Sequence, residues 1–592
     1  MAFQKSYRIA ALVLCLTLSS FFLSACAPST QIDHRATPET AGTWQKKPLI
    51  KANHAMISVA NPHAAKAGLK ILKEGGSALD AAIAAQMVLN LVEPQSSGIG
   101  GGGFLLVFDP KTQKLHTYDG RETAPAKSNA SLFIKEDGSK MSFFEAAIGG
   151  RAVGTPGLLS MLSLAHQKHG NVQWASLFED AITLSQNGFE VSPRLHGLIK
   201  RDRFLKTDPT ARTYFYLEDG TPLPVGHLLK NPAFADSLKQ IQMGGIFSFH
   251  IGQIADDIVS KVQNHKTNPG LLSLSDIQNY KAVERNPVCL TYRAYDICGM
   301  GPPSSGGITV LETLGLIEQY RRKNPKAAET DSNHLLLEAS KLAFADRNAF
   351  IGDEDFVSVP TKGLLSTAYL TDRQSFIQPD NTIKTPTYAG EPRLHAKKYA
   401  PDATEHGLST THMSVVDKDG MVVSMTTSIE NAFGSRQMVG GFLLNNQLTD
   451  FSFAAEKNGL PVANRIEPNK RPRSSMSPMI VFNKETGKPI LAIGSPGGSR
   501  IIGYVIQSLI EILDNDLALD KVLAKGHISN RNGASELEKG TEAEKLQASL
   551  EALGHEIKLK DMTSGLHAVQ ILENGTRLGA SDPRREGIAL GY

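Results

Sequence analysis

The sequence TTHMSVVDKDGMVVSMTTS, residues 410–428, predicts a β-hairpin. Two runs rich in β-branched and apolar residues flank residues 417–420 (DKDG), a tetrapeptide typical of turns. A hairpin centred on this turn places Thr427 opposite Thr410, to within one residue, with Ser428 beside it. Hydroxyl side chains therefore gather at the open end of the hairpin. A single threonine there carries no functional meaning, because threonine is common in strands.

Helical and strand patterns alternate along the rest of the chain, which predicts a mixed α/β fold. The helix signals are an Asn-Pro start at residues 61–62, a Gly-Gly end at 75–76 and a second, almost wholly apolar helix capped by Ser77. Further candidates are a hairpin of 104–109 with 115–119 and an apolar helix over 333–347. Residues 380–409 lack periodicity and are predicted to form a mobile segment.

The composition is that of an ordinary globular protein. The chain has 592 residues, of which 41% are hydrophobic and 20% charged, so disorder, collagen and coiled coil are excluded. A net charge of +3 gives no electrostatic case for binding nucleic acid or an anionic membrane surface. Four cysteines exclude a disulfide scaffold and a multi-cysteine zinc module.

The N-terminus has the pattern of an export signal. Lys5 and Arg8 precede the apolar run 9–23, which at about 1.5 Å per residue is too short for a hydrocarbon core of about 30 Å. The run ends in Leu-Ser-Ala-Cys, which resembles a bacterial lipobox. This predicts a signal peptide over 1–25, lipidation of Cys26 and a flexible tether over 26–48. The alternative is an ordinary signal peptide that contains a cysteine.

The predicted location is therefore periplasmic, with the protein held at a membrane only by its lipid anchor. Ala27 follows the lipidated cysteine, and the absence of an aspartate there slightly favours the outer membrane. No later apolar run of the sequence is long and unbroken enough to span a bilayer.

Two further cysteines lie in VCLTYRAYDIC, residues 288–298, which reads as two short strands around a turn at 293–294. A two-residue loop there pairs Tyr292 with Tyr295, and counting outward pairs Cys289 with Cys298 at a non-hydrogen-bonded position, where strands approach most closely. We therefore predict a disulfide between these cysteines. The alternative is two buried thiols in a register shifted by one residue.

Familiar cofactor motifs are absent or misplaced. Residues 98–103 match GxGxxG, but they follow a predicted helix and precede a strand, the reverse of a dinucleotide-binding unit. The sequence contains no P-loop, no HExxH and no GxSxG, and its histidines form no pattern typical of metal ligands. We therefore predict no cofactor and no metal.

Five motifs together resemble the γ-glutamyltransferase (glutathione hydrolase) family. They are SSGIGGGGF (96–104), DGRETAPAK (119–127), TTHMSVVD (410–417), LLNNQLTDFS (443–452), and PNKRPRSSMSP (468–478) with GSPGGSR (494–500). Matches to VGTPG (153–157), GPPSSGG (301–307), AFADR (343–347) and the C-terminal GASDPR extend the resemblance over essentially the whole mature chain.

The resemblance implies an N-terminal-nucleophile hydrolase with a four-layer αββα sandwich. Its precursor would cleave itself between Ser409 and Thr410, giving a large subunit (49–409) and a small subunit (410–592) that together form a heterodimer. Cleavage would supply the catalytic base, because the freed α-amine of Thr410 titrates near ~7.7–8.0, well below a lysine at ~10.4.

The resemblance also assigns the residues that bind the γ-glutamyl group. Arg121 would bind its α-carboxylate, helped by the hydroxyls of Ser474 and Ser475. Asp450, helped by Gln447, would bind its α-ammonium. Each of these residues also has an ordinary structural interpretation, as an ion pair, a helix cap or a turn, and only the joint pattern favours function.

Backbone N–H groups of Gly497 and Gly498 would stabilise the oxyanion, although a tight bend alone would also explain the two glycines. The chain departs from many family members at Ser428, where they have threonine, and at Glu430, where they have asparagine. Ser428 still offers a hydroxyl to support Thr410. Glu430 could strengthen or shift binding of the substrate ammonium. The segment 451–473 lacks the tyrosine that some bacterial relatives place over the pocket.

The favoured function is transfer of γ-glutamyl groups, from glutathione and related amides, to water, amino acids or dipeptides. A second hypothesis keeps this machinery for glutaryl side chains, as in cephalosporin acylases. Asp450 argues against it, because a glutaryl group has no ammonium to pair. A third is a binding lipoprotein that no longer cleaves itself, against which Thr410 and the paired glycines argue.

Overall fold

The computed structural model describes residues 44–324, 331–392, 398–402 and 409–592. The predicted signal peptide, Cys26 and most of the predicted tether lie outside these residues, as do 393–397 and 403–408 of the predicted mobile segment. Within the described ranges, no helix is both long and apolar enough to cross a membrane.

Fourteen strands build two large sheets. They are β1 (Ile50–Ala52), β2 (Met56–Val59), β3 (Gly102–Asp109), β4 (Lys114–Asp119), β5 (Val283–Arg285), β6 (Val288–Tyr292), β7 (Tyr295–Gly299), β8 (Ser409–Val416), β9 (Val422–Glu430), β10 (Met479–Asn483), β11 (Pro489–Gly494), β12 (His567–Ile571), β13 (Arg577–Ser581) and β14 (Ile588–Gly591). The first sheet has the order β14-β2-β8-β9-β3-β4-β5, and the second β1-β13-β12-β11-β10-β7-β6. All neighbouring strands in both sheets are antiparallel.

The helices that pack on the two sheets include α1 (Pro62–Lys73), α2 (Ala78–Val92), α3 (Leu158–His169), α4 (Gly306–Lys323), α5 (Ser332–Phe350) and α6 (Ile501–Leu513). The other α-helices of the described residues are Phe143–Ala147, Glu179–Asn187, Pro193–Arg201, Pro209–Phe215, Pro232–Gly244, Phe247–His250, Gln253–Gln263, Leu274–Asn279, Thr361–Leu364, Thr367–Arg373, Leu519–Ala524 and Gln547–Ala552. Short strand pairs occur at 189–190 with 228–229, 438–439 with 442–443, and 456–457 with 460–461. A small three-stranded sheet joins Ile528–Ser529, Ser535–Glu538 and Ile557–Lys560.

The alternation of side chains along the strands creates four layers. On β3, Phe104 and Leu106 belong to a cluster between the two sheets, whereas Leu105 and Val107 pack with α1, α2 and α3. The outer face of the second sheet, represented by Met479, packs against α4, α5 and α6. The order is helix, sheet, sheet, helix, so the αββα prediction is confirmed.

The local signals in the sequence mark several elements correctly. Asn61 caps α1 through His63 N, and Ser77 forms a capping box with Asp80 at the start of α2. The hairpin of β3 with β4 and the helix α5 also lie where they are predicted. The described parts of the irregular stretch before β8 contain no helix and no strand.

The register of the central β8–β9 hairpin lies within the predicted range of one residue. Thr411, not Thr410, lies opposite Thr427, while Ser409 lies opposite Glu430. Between these pairs β9 carries one residue more than β8, which is a β-bulge. The bulge brings Ser428 beside Thr410, and strand patterning alone does not reveal such an insertion.

The second predicted hairpin has the predicted register. Tyr292 pairs with Tyr295, and Cys289 pairs with Cys298 across β6 and β7. The two cysteines are joined by a disulfide.

Candidate active site

A pocket of about 460 Å³ lies at the end of the β8–β9 hairpin. Its lining residues are Arg121, Arg347, Thr410, Ser428, Glu430, Gln447, Asp450, Arg473, Ser474, Ser475, Met476, Gly498, Ser499 and Ile501. The fold thus brings the predicted nucleophile and the predicted substrate-binding residues to one place. Gly497 is not part of the lining itself but adjoins Gly498.

Ser428 connects Thr410 with the carbonyl group before it. The Ser428 hydroxyl donates to the Ser409 carbonyl oxygen at 2.8 Å and accepts from Thr410 Oγ1 at 3.4 Å. It also accepts from the Glu430 N–H at 2.9 Å. The bulge therefore places one hydroxyl against both the threonine oxygen and the carbonyl of the 409–410 peptide bond.

The glycine run before β3 makes this arrangement possible. A Cβ on Gly101 would lie 2.3 Å from the Ser428 carbonyl oxygen, and one on Gly103 would lie 2.7 Å from Thr427 Cγ2. The GxGxxG match thus reflects the close approach of this loop and β3 to β9.

Arg121 is fixed from several sides. Its Nε donates to the Pro472 carbonyl at 3.1 Å and its Nη2 to the Arg473 carbonyl at 3.1 Å, and Nη2 also forms an ion pair with Asp450. Glu122 lies 3.8 Å from the guanidinium, but burial raises the pKa of its carboxyl to about 8, so it is neutral at pH 7. Asp450 is therefore the main counter-charge of Arg121.

Asp450 ends a short 3-10 turn over Gln447–Asp450. Gln447 Nε2 donates to Asp450 Oδ2 at 3.2 Å, and the Asp450 side chain retains 17% exposure. The carboxylate is thus oriented by two donors, Arg121 and Gln447, and remains accessible from the pocket.

Glu430 is buried at the same end of the pocket. Its Oε2 accepts from the Asn446 side chain, whereas its Oε1 has no hydrogen-bond partner among the described residues. Burial raises the pKa of this carboxyl well above its usual value, and the charge of Asp450 adds to the effect. The group is therefore neutral below that raised pKa and becomes an anion only as the pH rises through it. Its φ of 80° places Glu430 in a region that non-glycine residues rarely adopt, as is common at functional sites.

Ser474 is held by the motif GPPSSGG, and Ser475 by Arg347. Ser305 N donates to the Ser474 carbonyl at 2.7 Å, and Ser304 forms an isolated bridge with Ser474. Ser475 Oγ accepts from Arg347 Nη2 at 2.8 Å, which leaves its own proton available for an anion in the pocket.

Gly497 and Gly498 follow β11 and lead into α6. Their φ angles are 133° and 60°, and a Cβ on Gly497 would lie 2.7 Å from Tyr504 Cε2. Only glycine fits this bend without strain.

The sequence assigned no role to two residues that orient side chains of the site. Asn446 orients Glu430, and Arg347 orients Ser475. Both lie in motifs that carry the resemblance, LLNNQLTDFS and AFADR, but a motif match does not show which neighbour a side chain contacts.

A histidine cluster, not predicted from the sequence, lies away from this pocket. His334, Glu338 and His555 place their ligand atoms within 4.8 Å of one another. These atoms are already used: His334 Nε2 contacts the Gln378 carbonyl, the two imidazoles bond at 2.7 Å, and Lys341 Nζ donates to Glu338 at 2.8 Å. Glu338 also accepts from Thr382 and from Ile383 N, which anchors this early part of the predicted mobile segment. We interpret the cluster as a hydrogen-bonded link between elements.

Known proteins match the chain over most of its length. A family model described as Gamma-glutamyltranspeptidase covers residues 64–592. The chain belongs to the gamma-glutamyltranspeptidase family. Two relatives of this chain carry the name glutathione hydrolase proenzyme. The one from Bacillus subtilis (strain 168) is 35% identical over 98% of both chains, and the one from Escherichia coli (strain K12) is 34% identical over 100% of this chain and 99% of the relative.

Solved structures agree with this family and fold. A cephalosporin acylase from Bacillus halodurans superimposes with a TM-score of 0.78 at 25% identity, over 92% of this chain and 97% of its own. The Helicobacter pylori gamma-glutamyltranspeptidase gives a TM-score of 0.53 at 32% identity, over 57% of this chain and 95% of its own. This gamma-glutamyltranspeptidase family member is therefore an enzyme of the hydrolase and transferase class, and the acylase alternative belongs to a related branch.

Proposed function

We propose that this protein cleaves its own Ser409–Thr410 bond and then uses Thr410 to attack γ-glutamyl amides such as glutathione. The observation that carries the proposal is the position of the Ser428 hydroxyl, 2.8 Å from the Ser409 carbonyl oxygen and 3.4 Å from Thr410 Oγ1. One group can therefore polarise the carbonyl that is attacked and orient the attacking oxygen.

In the cleavage step, Thr410 Oγ1 adds to the carbonyl carbon of Ser409 and the peptide C–N bond breaks. The hydroxyl proton passes to the departing nitrogen, and water then hydrolyses the resulting ester. The products are a carboxyl-terminal Ser409 and an amino-terminal Thr410, whose α-amine is the base for later turnovers.

The two subunits would remain together after cleavage, because each sheet contains strands from both sides of the 409–410 bond. In the first sheet β8 and β9 lie between β2 and β3, and in the second β10 pairs with both β7 and β11.

Substrate binding follows from the charges of the pocket. Arg121 and Asp450 form an ion pair whose charges complement those of an amino-acid zwitterion. The substrate carboxylate can take the place of Asp450 beside Arg121, and the substrate ammonium can take the place of Arg121 beside Asp450. Glu430 Oε1, which accepts no hydrogen bond from the part of the chain that the structure describes, adds an acceptor for the ammonium. A glutaryl group supplies only the carboxylate and would leave Asp450 unpaired, which is costly for a largely buried charge.

During turnover, Thr410 Oγ1 attacks the γ-carbonyl carbon and its proton moves to the α-amine. The oxyanion is bound by the N–H groups at Gly497 and Gly498, and the protonated amine delivers its proton to the leaving amine. Water, an amino acid or a dipeptide then resolves the γ-glutamyl ester.

The charge argument predicts substrate selectivity. We expect wild-type kcat/KM for a γ-glutamyl anilide to exceed that for the glutaryl anilide by about 100-fold, since an unpaired buried charge costs about 3 kcal/mol or more. Asp450→Asn should reduce this ratio by at least about tenfold, with the glutaryl substrate as internal control. A wild-type preference for the glutaryl anilide would instead favour the acylase hypothesis.

We also propose export and lipid anchoring, on the basis of the apolar run 9–23 and the lipobox ending at Cys26. Metabolic labelling with a radioactive fatty acid should mark the wild-type large subunit and leave Cys26→Ala unlabelled. Equal labelling of the two proteins would rule out Cys26 as the lipidation site.

A further inference from the structure

Arg585 contacts the main chain of Thr410, the proposed nucleophile, and does not line the pocket. It is 2% exposed, and its Nη1 donates to the Thr410 carbonyl oxygen at 3.2 Å. Its Nε donates to the Ser564 carbonyl at 3.2 Å and its Nη2 to the Thr563 carbonyl at 3.4 Å. The guanidinium therefore ties Thr410 to the loop that precedes β12.

The loop before β12 also contacts the residues that lead into Gly497 and Gly498. Gly565 N donates to Ser495 Oγ at 3.2 Å. A Cβ on Gly565 would lie 2.6 Å from Pro496 Cγ and 2.7 Å from Arg585 Cδ. Gly565 thus lies between the residue before Gly497 and the side chain that holds Thr410, so one loop sets the positions of both.

Thr410 has few other restraints on this side. The pairing of β8 with β2 begins only at Met413, and the β8–β9 ladder is interrupted by the bulge between Ser409 and Thr411. Cleavage would also remove the covalent bond on the amino side of Thr410. Its carbonyl would then be one of the remaining points that fix the residue.

We propose that Arg585 is a positioning residue of the processed enzyme, holding the Thr410 carbonyl and, through its charge, keeping the Thr410 α-amine neutral. This inference rests on the proposed function of Thr410. The α-amine and the carbonyl belong to the same residue, so the guanidinium lies within about 7 Å of the amine, and a like charge at that range favours the unprotonated base.

Other charged groups also act on the amine. Those lining the pocket in front of Thr410 are Arg121, Arg347, Arg473 and Asp450, together with Glu430, whose raised pKa favours its neutral form. Behind it, Glu93 and His567 interact electrostatically with Arg585. Burial raises the pKa of Glu93 and lowers that of His567 well below its usual value, so both are disposed to be neutral. Arg194, Glu586 and Lys47 are further charges near these two groups, and Arg585 is the one that donates to the Thr410 carbonyl.

The test is the pH profile of kcat/KM for a γ-glutamyl anilide, measured on processed wild type, Arg585→Met and Arg585→Lys. Activity falls at low pH as the Thr410 α-amine becomes protonated. The acidic limb of the profile therefore reports the pKa of this amine in the free enzyme. We expect Arg585→Met to move this limb upward by about one pH unit and to lower kcat about 100-fold. Arg585→Lys should keep the wild-type limb and lower kcat only, because it retains the charge but not the three-pronged contact.

Arg577→Met is the matched control. Arg577 is also a buried arginine near the C-terminus that donates to three main-chain carbonyls, but these belong to Asn53, Gly575 and Asp417 and not to Thr410. Its profile should match that of wild type. An unshifted limb in Arg585→Met, with wild type active, overturns the inference but not the proposed function, whereas a wild type without γ-glutamyl activity overturns both.

If Arg585→Met does not mature, Gly565→Ala provides the second test. The added Cβ must displace Arg585 or Pro496. We expect a mature Gly565→Ala enzyme with reduced kcat and an acidic limb raised in the same direction. A wild-type profile in that variant would contradict the inference.

Discussion

Thr410→Ala will remain a single uncleaved chain and will lose at least about 10⁴-fold in γ-glutamyl hydrolysis. Alanine removes the oxygen that we propose attacks the Ser409 carbonyl, so neither the cleavage ester nor the later γ-glutamyl ester can form. Denaturing gel electrophoresis measures cleavage, and anilide hydrolysis measures activity. Thr410→Ser retains an oxygen nucleophile and should cleave, at a reduced rate.

Thr411→Ala is the matched control for this substitution. Thr411 is the adjacent strand residue, equally buried, and its hydroxyl has no hydrogen-bond partner among the described residues. Its removal should leave cleavage and activity close to wild type. Cleavage of Thr410→Ala at the same bond would refute the assigned nucleophile.

Arg121→Lys will raise KM for γ-glutamyl substrates, with a loss of about 100-fold in kcat/KM, and will leave self-cleavage intact. A lysine ammonium cannot reproduce the planar contacts to the Pro472 and Arg473 carbonyls while binding a carboxylate in a bidentate manner. Cleavage of the precursor involves no substrate carboxylate and should not depend on this group.

Arg373→Lys tests whether any buried arginine would give the same result. Arg373 also pairs with a carboxylate, that of Asp346, and donates to a main-chain carbonyl, that of Tyr388, but it does not line the pocket. Its KM should equal that of wild type. A folded Arg121→Lys protein that no longer cleaves itself would mean that Arg121 has a structural role in maturation.

The sequence predicts the helix starts, the two hairpins and the disulfide because these depend on local signals. Asn61 and Ser77 satisfy N–H groups within three residues of themselves, and the pairing of Cys289 with Cys298 follows from counting along a short hairpin. The four layers follow from the resemblance, since alternation of elements predicts only a mixed α/β fold.

The sequence does not predict the features that depend on contacts between distant segments. The bulge between Ser409 and Thr411 interrupts the β8–β9 ladder beside Thr410, and no local residue signals it. Arg585 lies 175 residues from Thr410, and Asn446 lies 16 from Glu430, so their contacts exist only once the sheets have formed. The contact between His334 and His555 also joins segments that are distant in the sequence.

N-terminal sequencing of the smaller polypeptide in an active preparation tests the central claim most directly. The account predicts that it begins Thr-Thr-His-Met-Ser, at residue 410. Any other first residue in active enzyme, or full activity in a chain that remains uncleaved, would contradict it.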